Sequence, residues 1–123
     1  MNMKTFLVKS SEYDVGTEHF YFYAEIWAAE SKEQIWNEKH PSAPIGHVPN
    51  YEPKRESFPS EKIYNKHYRK YLQHKDEWER EYIANTQRKL DENFIELHGV
   101  SNDESSLKMI SKHLITSEVI DCG

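Results

Sequence analysis

The sequence contains one cysteine, Cys122, which is next to the last residue of the chain. A single thiol cannot form an intramolecular disulfide, and it cannot build a multi-cysteine zinc site. A nucleophilic cysteine needs a rigid, electropositive pocket, which a position so close to the chain end does not favour. We therefore expect Cys122 to be a free thiol without a catalytic or metal-binding role.

Long apolar runs are also missing. No stretch reaches the length of about 18 apolar residues that a membrane-spanning helix needs, and mean hydropathy is −0.93. The first residues, Met-Asn-Met-Lys, are not followed by the apolar stretch of a secretory signal, so we expect a cytoplasmic protein. Aromatic residues make up 13% of the chain, which argues against disorder. The length of 123 residues fits a single domain, 1–123.

Glycine is scarce, with four residues scattered along the chain. The sequence lacks the glycine-rich phosphate loop and dinucleotide fingerprint, the HExxH zinc motif and the GxSxG nucleophile motif. We therefore expect no catalytic residue, no metal and no cofactor, and we interpret the chain as non-enzymatic.

Charge is unevenly distributed along this acidic chain, whose net charge is −5. Residues 1–53 carry a net charge of −4 and residues 76–123 carry −6, whereas residues 54–75 between them carry +5. A basic block inside an acidic protein can mark a contact surface.

The sequence pattern of residues 1–48 predicts an α+β fold. Residues 4–10 and 19–28 alternate in the manner of strands and are expected to form an antiparallel hairpin, with 19–28 as a central strand. Ser31 and Gln34 have the spacing of a helix capping box, and Pro41 would end that short helix. Residues 45–48 are predicted as a short third strand or an extended edge segment. The expected order is strand-strand-helix-strand, in a small antiparallel or mixed sheet.

All five prolines lie in one segment, residues 41–59, which we call the proline-rich segment. Such a composition predicts an extended, semi-rigid connection. Its length is unusual for a connection in a compact domain. It is therefore expected to be either a functional loop or a wrap along the surface.

A long or bent helix is predicted for residues 60–97, which contain no glycine or proline. Ser60 is a suitable N-cap, and Gly99 is a suitable stop. One straight helix of this length would extend about 55 Å, more than the width of such a domain. The apolar stripe also changes direction near residues 82–86, which favours two helices or a bent one. The first stripe consists of Tyr64, Tyr68, Tyr71, Trp78 and Tyr82.

The rest of the part predicted to be helical, residues 60–123, ends in a short C-terminal helix. That helix would place Leu107, Ile110 and Leu114 inward. Residues 119–120 are expected to form a last short strand or packed coil.

The candidate partner-binding residues are Lys62, Lys66, Arg69, Lys70, Tyr51 and Trp36. On a helical wheel the four cations lie opposite the tyrosine stripe, so they form one positive surface that could contact phosphates or an acidic partner. An ordinary solvated helix surface is the alternative interpretation. Tyr51 and Trp36 are included because large aromatic side chains dominate interface energetics.

Three further patterns are weaker. His67, His74 and Glu81 are spaced by seven residues, which places them about 10 Å apart and too far to share one ion. Residues 52–54, Glu-Pro-Lys, match the E-x-K end of a common nuclease core. Residues 41–44, Pro-Ser-Ala-Pro, are a minimal P-x-x-P match.

The function expected from these features is that of a small interaction protein that binds and modulates or inhibits a protein partner. A phage or mobile-element accessory factor is one setting for such a protein. The alternatives are a nucleic-acid-binding protein that uses the basic helix surface and a small metal-dependent, nuclease-like enzyme. A homodimer is also expected, because a straight 60–97 helix would overhang a small sheet and expose its aromatic stripe.

Overall fold

The computed structural model describes residues 2–119, which form an α+β structure with one four-stranded antiparallel sheet in the order β3-β1-β2-β4. The elements are β1 (Lys4–Asp14), β2 (His19–Ala29), α1 (Lys32–Lys39), a 3-10 turn (Arg55–Ser57), α2 (Glu61–Asn93), β3 (Phe94–Glu96) and β4 (Lys108–Val119). The predicted α+β class is confirmed. Cys122 and Ile120 lie outside the described residues.

The first two strands form the predicted hairpin. Its register runs from Lys4 opposite Ala29 to Asp14 opposite His19. The turn is closed by Asp14, whose Oδ1 accepts a hydrogen bond from the Gly16 backbone N–H at 2.9 Å. As predicted, β2 is central, because it pairs with β1 on one side and with β4 on the other.

The short helix α1 begins where the capping box predicts. Ser31 Oγ accepts a hydrogen bond from the Gln34 backbone N–H at 3.3 Å, and Gln34 Oε1 accepts one from the Glu30 backbone N–H at 2.8 Å. These bonds satisfy backbone donors that the helix itself cannot satisfy. The helix buries Ile35 against the sheet.

Both helices pack on the same face of the sheet. The core consists of Phe6, Val8, Trp27, Ala29, Ile35, Leu90 and Phe94. Side chains alternate along a strand, so Phe6 and Val8 of β1 and Trp27 and Ala29 of β2 must share the helix-covered face. The single buried side chain of α2, Leu90, lies near the C-terminal end of that helix.

The prediction of a third strand at residues 45–48 is wrong. Pro44 and Pro49 flank this stretch, and proline cannot donate to a strand ladder. The Ile45 backbone N–H donates instead to Asn37 Oδ1 at 2.7 Å, and His47 closes a turn onto the Pro44 carbonyl. The third strand in chain order is β3, which follows the long helix, so the predicted strand-helix order is also wrong.

The prediction of a short C-terminal helix is wrong as well, because residues 108–119 form the edge strand β4. β2 would otherwise present an open edge of unpaired backbone groups, and such an edge favours pairing with another strand. The stretch is rich in residues that favour strands, among them Ile110, Ile115, Thr116 and Val119. The part predicted as helical, residues 60–123, therefore contains two strands.

The long helix α2 is continuous over 33 residues, or roughly 50 Å at 1.5 Å per residue. The predicted long helix is confirmed, and its division into two helices is wrong. Its half-buried and buried residues, from Tyr64 through Tyr82 and Thr86 to Leu90, follow one helical stripe, and Ile83 of the predicted second stripe is exposed. Along this one side the helix contacts the proline-rich segment in its first part and the sheet near Leu90. Among residues 2–119, no helix combines the length and the apolar composition needed to cross a membrane.

Candidate functional site

The first part of α2, residues 61–82, is here called the arm. The proline-rich segment runs back along it in the antiparallel direction. Tyr51 meets Trp78 with ring centroids 4.7 Å apart, and Phe58 meets Tyr64 at 5.9 Å. Between them, Tyr68 Oη donates a hydrogen bond to Glu52 at 2.9 Å. The segment is therefore a wrap along the surface, the second of its two predicted forms.

The aromatic stripe of the arm is half-buried under this wrap. Neighbouring rings also contact each other along the helix: Tyr64 and Tyr68 at 5.6 Å, Tyr68 and Tyr71 at 5.9 Å, and Trp78 and Tyr82 at 6.0 Å. Part of the aromatic stripe that was expected to overhang the sheet is thus covered by the same chain.

The four predicted cations lie on the opposite side of the arm, and we call them the cation face: Lys62, Lys66, Arg69 and Lys70. All four are exposed. Within residues 2–119, none of the four forms an ion pair, whereas lysines elsewhere, such as Lys32, Lys39 and Lys112, do. The structure therefore brings these four residues together as one positive surface.

The position of the cation face weakens the helix that carries it. Lys62 lies in the first turn of α2, where the positive end of the helix dipole disfavours a cation by about 0.3–1 kcal/mol. Lys62, Lys66 and Lys70 are also spaced by four residues, so each neighbouring pair repels by about 0.2–0.5 kcal/mol. Local features that oppose stability are typical of functional surfaces.

Tyr51, in the proline-rich segment, packs against the arm and does not belong to the cation face. It is 62% exposed and stands edge-on to Trp78, with an interplanar angle of 71°. Together with Tyr71, His74 and Lys75 these rings line a small cleft of about 220 Å³. Tyr51 was a candidate because of its residue type alone. The path of the proline-rich segment along the arm places it beside Trp78.

Trp36 is separate from the arm's cations. Its Nε1 donates a hydrogen bond to the Ala43 carbonyl at 3.1 Å, and its ring packs against Phe94 at 5.9 Å and His40 at 4.3 Å. These contacts fix the start of the proline-rich segment to α1 and β3. The contacts of Trp36 are therefore those of a packed structural residue. Trp36 lies apart from Tyr51 and from the cation face.

A buried charge pair, which the sequence analysis did not single out, lies between the sheet and α1. Glu25 of β2 is 2% exposed. Its carboxylate accepts hydrogen bonds from Lys39 Nζ at 2.6 Å, Trp27 Nε1 at 2.9 Å and Ser10 Oγ at 2.9 Å. Burial by itself would raise the pKa of Glu25, but these three donors outweigh it, so the pKa is lowered from its usual value. The sequence did contain a signal for this pair. Glu25 is an acidic residue inside the predicted strand 19–28, on the same strand face as Trp27.

This pair forms the floor of an open cleft of about 600 Å³. Lys89 of α2 and His40 also line the cleft, and burial together with the positive charges of Lys39 and Lys89 lowers the pKa of His40. The Glu25 carboxylate already accepts hydrogen bonds from three donors, and one of them is Lys39 of α1. The pair therefore holds α1 against the sheet.

The weaker sequence patterns lie on the arm or its wrap. Glu52 accepts the Tyr68 hydrogen bond, which raises the pKa of Tyr68, and it does not follow a strand as the nuclease core requires. His67 packs on Phe58 at 4.9 Å, and His74 lines the Tyr51 cleft. Over residues 2–119, no three His, Cys, Asp or Glu side chains converge as a set of metal ligands.

Comparisons with known protein families, with curated proteins and with solved structures found no match to this chain. Function must therefore be argued from the charge and geometry of the described surfaces.

Proposed function

We propose that this chain is a non-enzymatic interaction protein that binds an acidic protein surface through the cation face. The observation that supports the proposal most directly is the set of four exposed cations on one side of the arm, none of which forms an ion pair with another of the residues that the structure describes. They oppose helix stability, and an acidic partner would neutralise them. The bound partner would be modulated or inhibited by the contact, and the setting would be cytoplasmic.

Exposed charges of this kind contribute mainly to the rate of association and to specificity. The affinity of the complex should therefore fall as ionic strength rises, because salt screens exposed charges beyond a Debye length of about 8–10 Å. Arg69 can add a bidentate contact to a carboxylate, which the three lysines cannot.

A protein is favoured over a nucleic acid by the charge of the rest of the chain. Residues 1–53 and 76–123 carry net charges of −4 and −6. A long polyanion following the arm would meet these acidic regions and be repelled. An acidic patch on a folded protein can contact the arm alone.

The test is affinity capture from lysate of the native host, with and without nuclease, using three forms of the chain. They are the wild type, Lys66→Glu/Lys70→Glu on the cation face, and Arg80→Glu/Arg88→Glu as a control. The control makes the same change of charge on the same helix, at exposed positions outside the cation face. Circular dichroism would check that all three forms fold.

We expect one acidic protein to be captured by the wild type and by the control, with at least tenfold less captured by Lys66→Glu/Lys70→Glu. The protein should survive nuclease treatment and be released by moderate salt. Equal capture by Lys66→Glu/Lys70→Glu would refute the cation face as the binding surface. Capture that disappears with nuclease would assign the face to nucleic acid.

A further inference from the structure

The Tyr51 cleft is built from two consecutive turns of the arm and one ring of the wrap. Its lining consists of Tyr71, His74, Lys75 and Trp78 of α2 together with Tyr51. The four positions on α2 follow the spacing i, i+3, i+4 and i+7, so they occupy one side of the helix. The wrap adds Tyr51 as a side wall.

The interior of the Tyr51 cleft is apolar. Tyr51 and Trp78 meet edge to face, so the two rings form an open corner, and almost all of the surface exposed inside the cleft is carbon. Lys75 lines the cleft, but its Nζ lies 3.9 Å from Glu79 on the next turn of the helix. An apolar hollow with a few polar groups at its edge is the usual form of a binding pocket.

His74 joins the Tyr51 cleft to the cation face. Lys66, Lys70 and His74 are spaced by four residues each, so they are neighbours along one flank of α2. The same flank continues beyond the cleft with Glu77 and Glu81, which are both exposed. The charge of this flank therefore changes at the cleft, from positive on the N-terminal side to negative on the C-terminal side.

The cation face needs a second source of affinity. Exposed ion pairs add little to affinity and act mainly on association rate and specificity. Protein interfaces take most of their affinity from a few aromatic or apolar anchors in well-packed pockets, with charged groups around them. The Tyr51 cleft and the cation face have these two characters, and they are adjacent on the arm.

We infer that the Tyr51 cleft receives a leucine-sized apolar side chain of the acidic partner, whose carboxylates extend from it over the cation face. This binding mode rests on the proposed function, because it adds an apolar anchor to the same acidic partner. Charge complementarity fixes the direction in which the carboxylates lie. They are attracted toward Lys70 and Lys66 and are repelled by Glu77 and Glu81.

The geometry of α2 also sets the spacing within the bound segment. At a rise of 1.5 Å per residue, Lys70 lies about 6 Å and Lys62 about 18 Å from His74 along the helix axis. An extended chain rises about 3.3 Å per residue, so the carboxylates should lie roughly two to six residues from the apolar anchor. The recognised segment is therefore short, extended and acidic, with its apolar residue at one end.

The test uses fluorescently labelled synthetic peptides. Each carries several glutamates at this spacing from one leucine, on its N-terminal side in one peptide and on its C-terminal side in the other. Two matched peptides contain glycine in place of the leucine. Fluorescence anisotropy at low ionic strength would measure their affinities for the wild type, Tyr51→Ala, His74→Trp and Lys66→Glu/Lys70→Glu, after circular dichroism has shown that each form folds.

For the wild type, we expect the leucine in at least one of the two peptides to raise the affinity about tenfold over its glycine counterpart, since the cleft would bury most of that side chain. Tyr51→Ala removes a wall of the cleft, and His74→Trp fills the cleft from an exposed position. Both variants should bind the leucine peptide only as tightly as the glycine peptide. Tyr13→Ala, which removes an exposed ring of the sheet, is the control and should keep the full gain.

The glycine peptides separate the cleft from the cation face. If they bind the wild type and leucine adds nothing, the cleft does not hold an anchor. The same conclusion would follow if the gain persisted in Tyr51→Ala and His74→Trp. Lys66→Glu/Lys70→Glu should bind all the peptides at least tenfold more weakly. If it bound them as the wild type does, or if the wild type bound none of them, the cation face itself would not be a site for an acidic partner.

Discussion

At the scale of single residues, the Glu25–Lys39 pair determines how α1 is held on the sheet. Removing two charges from water is costly, and the attraction between them repays it only when further hydrogen bonds satisfy the remaining lone pairs. Trp27 and Ser10 supply those bonds. Removal of the Glu25 charge would leave the Lys39 ammonium, which is largely buried, without its partner.

We predict that Glu25→Gln lowers the free energy of unfolding at neutral pH by about 2–3 kcal/mol, measured by urea denaturation. The pKa of Glu25 is lowered in the folded chain, because its hydrogen bonds outweigh the effect of burial. The stability from the pair is therefore complete above the usual pKa of 4.5 and is lost as the pH falls through the folded value. Glu25→Gln should lack that part of the acid dependence.

Glu12→Gln is the control for this prediction. Glu12 also pairs with a lysine, Lys112, at 2.5 Å, but its side chain is largely exposed. Exposed pairs contribute about 0–1 kcal/mol. An effect of Glu25→Gln no larger than that of Glu12→Gln would show that the buried pair does not hold α1 in place.

At the scale of elements, the stability of the arm depends on its wrap. Isolated helices are marginal in water, and most helical stability in proteins comes from packing of one face. The buried residue of α2 lies at its other end. The arm therefore relies on the contacts of Tyr51, Glu52 and Phe58 with its aromatic stripe.

We predict that Tyr51→Ala/Phe58→Ala raises amide hydrogen exchange at least tenfold over the arm, while amides of β1 and β2 keep their protection. The physical reason is that the variant uncovers the stripe without touching the core. Hydrogen exchange followed by mass spectrometry would measure it. Tyr13→Ala, an aromatic truncation on the sheet, should leave the arm unchanged. Unaltered exchange over the arm in the double variant would mean that α2 is stable without the wrap.

At the scale of the whole molecule, both proposed binding regions lie away from the core. The cation face and the Tyr51 cleft lie on the arm and its wrap, whereas the core forms around Leu90 near the other end of α2. An acidic partner on the arm would therefore leave the sheet and α1 uncovered. Partner binding and the stability of the core should be separable.

We predict that folded Glu25→Gln captures the acidic partner as well as the wild type does, because the changed residue contacts α1 and not the arm. Lys66→Glu/Lys70→Glu should conversely unfold at no lower urea concentration than the wild type, because it removes repulsion between neighbouring lysines of α2. Capture and urea denaturation of both variants would check this separation. If Glu25→Gln lost the partner while keeping its fold, the partner would contact the region beside α1 as well as the arm.

Local sequence features determined those parts of the structure that depend on near neighbours. The alternation in residues 19–28, the Ser31 cap and the absence of helix breakers after Ser60 predicted β2, α1 and α2, because strand period, capping and helix continuity act over a few residues. The helical wheel placed Lys62 and Lys66 opposite the tyrosine stripe, and the structure keeps the tyrosines half-buried and the lysines exposed.

Only the tertiary structure decided the elements whose partners are distant in sequence. Residues 108–119 became a strand because β2 presents an open edge to them, and residues 45–48 remained outside the sheet because Asn37 takes up the Ile45 donor. The buried partnership of Glu25 with Lys39 depends on where α1 docks on the sheet. Local sequence patterns record neither an available edge nor a docking position, because both arise from long-range packing.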